Sequence, residues 1–229
     1  MEAIMRMIVN VVTIMLVTTG TSNSFEFENG KNVHAFYYLW YGNEVIDGQY
    51  YHWNHEILPH WTSSVNERYP EIGQRFKPPD HLHSPFYPSR GPYSSRDPNV
   101  ILNHFSDLRQ SNIGVIVLSW WGQESRVEST DTQGVSTDGA FSLILALAEA
   151  AGDIKIAFHL EPYKGRTAQS VREDLTYIHA RYGNYTSLLR TAEGRLVMYI
   201  YDSYHIPSED WQKVLIPGGN SSFLAALNL

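Results

Sequence analysis

Ile154-Lys-Ile-Ala-Phe-His-Leu-Glu-Pro-Tyr163 begins as an apolar run and ends by presenting His159, Glu161 and Tyr163 around a proline. A short, nearly continuous apolar run of this kind fits a strand buried on both faces. Pro162 has no N–H to give to a ladder, so pairing stops there and the carboxylate is left at the strand's C-terminal tip. Many α/β enzymes hold their working groups at that position. Three other stretches share the form. Val33–Tyr41, Ile113–Trp121 and Leu196–Tyr201 each carry a short apolar run into aromatic or acidic residues.

Helical patterns alternate with these strands. Asp97-Pro98 opens the first, with Asp97 as N-cap, Pro98 in the first turn, and Ile101, Phe105 and Leu108 as the buried stripe. Asp138 is expected to cap the second, with Phe141, Ile144, Leu145 and Ala148 inward and Gly152 closing it. The third buries Val171, Leu175 and Ile178 and ends at Gly183, and Ser208 is expected to cap a short helix through Leu215. Four strand–helix units in succession argue for a parallel sheet with right-handed crossovers. An open doubly wound sheet and an eight-stranded barrel both meet that description. A dinucleotide-binding sheet requires a Gly-rich phosphate turn after its first strand, and none is present, so the barrel is preferred. Full barrels take about 250 residues or more. The expectation is therefore an α/β fold, the first half of a (β/α)8 TIM-like barrel, truncated after four βα units. It would occupy residues 25–216, with a divergent tail at 217–229 in which Gly218-Gly219 leads into the apolar Phe223–Leu227. Such a half barrel is expected to leave strands one and four as open edges.

Between the first strand and the first helix, Gly42 to Arg96 shows no sustained period. Loops of this length in compact domains are functional or disordered. With Trp53, His55, Trp61, Phe86, Tyr87 and Tyr93, this one is too aromatic for disorder. At the other end of the composition scale, only 18% of the 229 residues are charged, while 13% are aromatic, including 15 Tyr and 6 Trp. Tyr and Trp join an apolar face to a hydrogen-bonding edge, as sugar clefts require, although large α/β domains also use them as core. A formal charge of -7 with no basic stripe argues against a nucleic-acid partner. The absence of Cys excludes disulfides and thiolate chemistry.

At the N-terminus, Arg6 precedes the apolar run Met7–Val17, followed by the small-residue stretch Thr18–Ser24. That order reads residues 1–24 as a signal peptide or short signal anchor, a membrane anchor in the second case; a buried or disordered terminus is the alternative. The sequons Asn184-Tyr-Thr and Asn220-Ser-Ser point the same way, weakly.

Among groups that carry chemistry, Glu161 and Asp202 sit at the tips of neighbouring strands and could face one cleft. Glycoside hydrolysis needs two acids about the scissile bond; equally, either carboxylate could anchor a loop. His52-x-x-His55 and His81-x-His83 lack the ligand set of a zinc site and read as loop histidines. Neither G-x-S-x-G nor a phosphate-binding loop occurs. The aromatic tips are the strongest signal: Tyr37, Tyr38, Trp40 and Tyr41, then Trp120 and Trp121, Tyr163, and finally Tyr201 and Tyr204. Strand alternation assigns some to the barrel and some to the helix layer.

Longer runs carry a resemblance. Val33-His-Ala-Phe-Tyr-Tyr-Leu-Trp-Tyr-Gly-Asn43, Tyr51-His-Trp-Asn-His55, Phe86-Tyr-Pro88, Tyr93-Ser-Ser-Arg-Asp-Pro98, Leu118-Ser-Trp120, His159-Leu-Glu-Pro-Tyr163 and Tyr201-Asp-Ser-Tyr204 occur in an order similar to that of glycoside hydrolase family 99, over Val33 to Ile216. The resemblance implies a (β/α)8 barrel in the Golgi lumen that cleaves an internal α-1,2-mannosidic bond. It would release a glucosylated mannose unit from N-glycans with retention, through an anhydro-sugar intermediate, without metal or cofactor. One glutamate would act as base on the 2-hydroxyl and another as acid. That pair belongs to a Trp- and Glu-containing motif late in the barrel, to which nothing here corresponds, so no catalytic residue is assigned and the 229 residues are expected to be inactive on their own. Carried over as substrate contacts are Tyr37, Trp40, Trp120, Glu161, Tyr163 and Tyr204, with the N-linked oligosaccharide as partner. A non-catalytic glycan-binding or regulatory role is the alternative.

Overall fold

The computed structural model describes residues 14–16, 33–126, 130–214 and 223–227. Its centre is one six-stranded sheet in the order β1-β2-β3-β4-β5-β6. The strands are β1 (Ile14–Leu16), β2 (Val33–Tyr37), β3 (Val115–Trp120), β4 (Lys155–Leu160), β5 (Leu196–Ile200) and β6 (Phe223–Leu227). Strands β2 to β6 run parallel, and β1 joins β2 antiparallel, with Met15 opposite His34. The connecting helices are α1 (Glu44–Asp47) and α2 (Ser63–Asn66) in the long loop, then α3 (Pro98–Gln110), α4 (Asp138–Ala151), α5 (Ala168–Tyr182) and α6 (Ser208–Val214).

Two expectations are corrected. The strands called one and four are not edges among the described residues: β1 pairs with β2, and Phe223–Leu227 adds a parallel strand beside β5, with Leu196 opposite Phe223. Asp138 does not cap α4. Thr137 precedes the helix, and the Asp138 side chain is engaged below it instead. Asp97 does cap α3, accepting from the Asn99 N–H, with Pro98 in the first turn. Gly152, at φ 78°, ends α4 in the left-handed conformation that a side chain would strain. Apart from Ile14–Leu16, the proposed signal segment lies outside the described residues, as does Leu215. Among the described residues no helix is long and apolar enough to cross a membrane.

Alternation divides the sheet residues between two cores. On the helix side, Ile116, Leu118 and Trp120, Ile156, Phe158 and Leu160, and Met198 and Ile200 pack with Ile101, Phe105, Phe141, Val171 and Ile178 of α3, α4 and α5. On the other side, Phe36, Val115, Val117, Ala157, Val197 and Tyr199 form a second, smaller cluster. Each fully buried side chain of these sizes contributes about 1.5–3 kcal/mol, so the larger core on the helix side holds most of the apolar stabilisation.

Two histidines are bound into these layers. His34 Nδ1 lies 2.7 Å from the Tyr199 hydroxyl across the inner face, and burial pulls its pKa down to about 4. His104 of α3 pairs with the Tyr37 hydroxyl at 2.7 Å and is also lowered to about 4, chiefly by burial. Free in an unfolded chain, each titrates near 6.5. Above that pH both states are neutral and the stabilisation is complete. As pH falls toward 4, the unfolded chain takes up protons that the folded one refuses. Each site thus loses up to about 3 kcal/mol by pH 4. Urea unfolding at pH 7, 5.5 and 4 should show this decline, and His104→Asn should flatten a substantial part of it.

Candidate functional site

Beyond the last paired residues of β2, β4 and β5, the inner-face positions continue as Tyr38, Glu161 and Tyr201, and Ser119 near the end of β3 joins them. Glu161 is at their centre. Its Oε1 accepts from Ser119 Oγ at 2.7 Å, across the β3–β4 ladder in which Ser119 sits opposite His159. His159 lies two residues earlier on the same face, with Nδ1 3.2 Å from Glu161 Oε1. That is within ion-pair distance but outside hydrogen-bond alignment, and neither ring nitrogen of this buried histidine is hydrogen-bonded among the described residues. The His159 ring is flanked by Phe36 at 4.6 Å and Tyr201 at 5.6 Å. Burial, with the Glu161 charge next in importance, pushes the Tyr38 phenol up to about 12. Tyr38 therefore stays a neutral donor at physiological pH, placed to share a ligand with the carboxylate.

Arg166 closes one side. Its guanidinium donates to the Asp202 carbonyl at 2.9 Å, and burial lowers its pKa while Tyr163, Asp202 and Glu161 act in the opposite direction. Asp202, at φ 49°, holds its carboxylate 3.7 Å from His205 Nε2.

Above Tyr38 is a stack of rings. Trp40 lies 4.1 Å from Tyr38 at 11° and 5.0 Å from His52 at 23°. The long loop that supplies His52 is packed on aromatics: Trp53 is fully buried, donates to the Tyr93 carbonyl at 2.8 Å, and meets Tyr41 at 4.3 Å. Gly42 starts this loop because a Cβ there would come within 2.6 Å of the Tyr51 ring. His55 and His83 stack at 4.8 Å, and His81 lies 4.8 Å from Phe76. A pocket of about 130 Å³ borders Trp40, Asp47, Arg96 and the turn at Gly134–Ser136. It is well below the about 300 Å³ at which ligand pockets begin.

The structure divides the six residues read as substrate contacts. Glu161 and Trp40 are brought to the strand tips. Tyr37 points into the helix layer, where its hydroxyl meets His104. Trp120 is fully buried and donates its indole N–H to Asp138 Oδ1 at 2.8 Å. The Tyr163 hydroxyl donates to Asp174 Oδ2 at 2.6 Å beneath α5. All three side chains are engaged on the helix side rather than at the inner-face tips, because β3 alternation and the Pro162 turn aim Trp120 and Tyr163 at the helices. Tyr204 is exposed on the one-turn helix Ser203–His205, its ring 4.5 Å from His205. Ser119, Tyr38, His159 and Tyr201, absent from those six, stand around Glu161 instead. Two-residue spacing from Glu161 was available as a signal for His159; for Ser119, the sheet register was needed.

With this geometry, the comparisons are decisive. The model of glycosyl hydrolase family 99 matches residues 29–227. The chain belongs to that family. It is 42% identical over 194 residues to the mouse glycoprotein endo-alpha-1,2-mannosidase, covering 83% of this chain and 40% of that protein. The human glycoprotein endo-alpha-1,2-mannosidase-like protein is 40% identical over 196 residues, 84% of this chain and 41% of that protein. The chain thus spans about two fifths of the length of the curated relatives it matches. Among solved structures, the GH99 endo-alpha-mannosidase from Bacteroides thetaiotaomicron superposes with a TM-score of 0.68 at 33% identity, over 86% of this chain and 54% of that one. The fold is α/β and corresponds to the first half of a (β/α)8 barrel.

Because Trp120 serves the core, Trp120→Phe should lower stability in urea unfolding. It loses one hydrogen bond and leaves a buried carboxylate oxygen short of a donor, at a cost of about 1–3 kcal/mol. Sugar affinity should stay at the wild-type value, whereas a loss of affinity at full folding would return Trp120 to the cleft.

Proposed function

We propose that this chain supplies a sugar-holding face of an endo-α-1,2-mannosidase-type site that acts on glucosylated high-mannose N-glycans in the Golgi lumen. The observation that carries the reading is Glu161: a buried carboxylate with, among the described residues, a single hydrogen-bond donor, Ser119, at the aromatic strand tips. A carboxylate can accept up to about four hydrogen bonds. Glu161 therefore has acceptor capacity left for sugar hydroxyls, with the Tyr38 phenol and the half-exposed Tyr201 ring beside it. The printed names of the mouse and human relatives and the Bacteroides structure support the mannoside class. The exposed sequon at Asn184, in the turn after α5, supports a luminal setting.

Turnover is a separate matter. The reaction needs an acid and a base or nucleophile, and the glutamate pair that the resemblance places late in the barrel has no counterpart in these 229 residues. A glycan-binding role without cleavage is favoured for the residues on their own, because Glu161 is engaged as a positioning carboxylate by Ser119 and flanked by His159. A glucosylated high-mannose N-glycan incubated with the purified chain should bind in ligand-observed NMR and yield no shortened product by mass spectrometry. Glu161→Gln should weaken binding about 10- to 100-fold, the equivalent of a charged hydrogen bond. Product release would overturn the binding-only reading, and undiminished binding by Glu161→Gln would overturn the site.

A further inference from the structure

His52 combines features that a loop residue does not assemble without a constraint. Its backbone is in the left-handed region, at φ 60°, which costs a residue with a side chain more than it costs Gly. Its N–H donates to Gln133 Oε1 at 3.0 Å, and its Nε2 lies 2.7 Å from Asp131 Oδ2. Asp131 is buried and is itself fixed by the N–H groups of Gln133 and Val135, at 2.8 and 2.9 Å. The outward result of this locking is the ring stack: the imidazole lies on Trp40, whose indole also stacks on Tyr38. Tyr38 and His52 make no ring contact with each other, so they engage the two faces of the indole.

We infer that His52 is a positioning residue for Trp40, clamped from the 131–135 turn through Asp131, so that Trp40 presents its edge rather than a ring face to a mannoside at the strand tips. The inference rests on the proposed sugar site. Strain at His52 is compensated by the Asp131 pair and the Gln133 bond, and what these contacts secure is the angle of the indole above Tyr38. Binding then selects sugars through the hydrogen-bonding rim of Trp40 and the Glu161 carboxylate, while stacking is left to Tyr201. The titratable groups facing the His52 ring are Asp131, His55 at 6.2 Å and Tyr41 at 6.2 Å, with His83 beyond His55.

The test uses the 15N-labelled 229-residue chain, with the Trp40 indole resonance assigned by Trp40→Ala, and α-1,2-mannobiose as probe. In the wild type the Trp40 indole N–H should be as rigid as the strand amides in heteronuclear NOE measurements. Its NOE should fall in His52→Asn, which tolerates a positive φ, and in Asp131→Asn, which keeps the size of the side chain. Both substitutions should weaken mannobiose binding about tenfold, equivalent to roughly 1.4 kcal/mol. If His52→Asn fails to fold, the wild-type NOE and Asp131→Asn carry the same readout. A Trp40 indole that is mobile in the wild type, or indifferent to these substitutions, overturns the positioning role. Mannobiose affinity unchanged by Trp40→Ala, with the resonance behaving as expected, overturns the sugar-site reading and leaves the clamp standing.

Discussion

Parallel pairing of β2 to β5 fixes which way every strand residue faces, and most of the molecule follows from that. Helices cover one face and require large apolar side chains there; the opposite face must fill a narrower space, with Val, Ala and edge-on aromatic rings. At the C-terminal ends the apolar demand lapses on the inner face, and polar groups can occupy it. Ser119, Glu161, Tyr38 and Tyr201 are the result. The register that places Ser119 opposite His159 also places Trp120 opposite Leu160, so the alternation that turns Ser119 and Glu161 to the inner face turns the Trp120 indole to the helices.

The repeated strand–helix pattern was legible because each strand is a continuous apolar run and α3 carries an unambiguous Asp97-Pro98 start. The barrel interior at the strand tips was only half legible. Two-residue spacing relates His159 to Glu161 along one strand, but assigning Tyr37 against Tyr38, or Ser119 against Trp120, needs the pairing between strands. Large aromatic residues are ambiguous in sequence: Trp120 and Tyr163 resemble sugar contacts, yet a buried indole or phenol needs a polar partner as much as an exposed one does. Their partners, Asp138 and Asp174, lie 18 and 11 positions away on the helices. Asp138 resembles a cap in sequence for the same reason, since a carboxylate at a helix start has that role by default. The terminal strand pairings, β1 on β2 and β6 on β5, had no signal beyond apolar composition.

The long loop shows the same limit at larger scale. Its aromatic content predicted order, and Trp53, Tyr41 and Tyr93 provide it by packing on one another. What could not be read was its tie to the rest of the chain, because His52 and Asp131 are 79 residues apart in sequence. Contacts of that separation are set by the fold and leave no periodic trace.

Three of the buried carboxylates, Asp138, Asp174 and Glu161, differ in how fully their acceptors are used. Asp138 accepts from Trp120, Tyr177, Tyr182 and the Glu124 N–H, which fills its acceptor capacity. Asp174 accepts from Gln123, Arg126 and Tyr163, and burial is the main reason its pKa is raised. Both tie the β3–α4 segment to the helix layer, Asp138 with four donors and Asp174 with three. Glu161 is nearly as inaccessible, 5% exposed against 0% for both, yet among the described residues its carboxylate has Ser119 alone as donor, with an unaligned His159 beside it. A buried charge left that short of donors is costly. The fold bears this cost at one place, on the inner face at the strand tips, where a polyhydroxylated ligand can supply the missing donors.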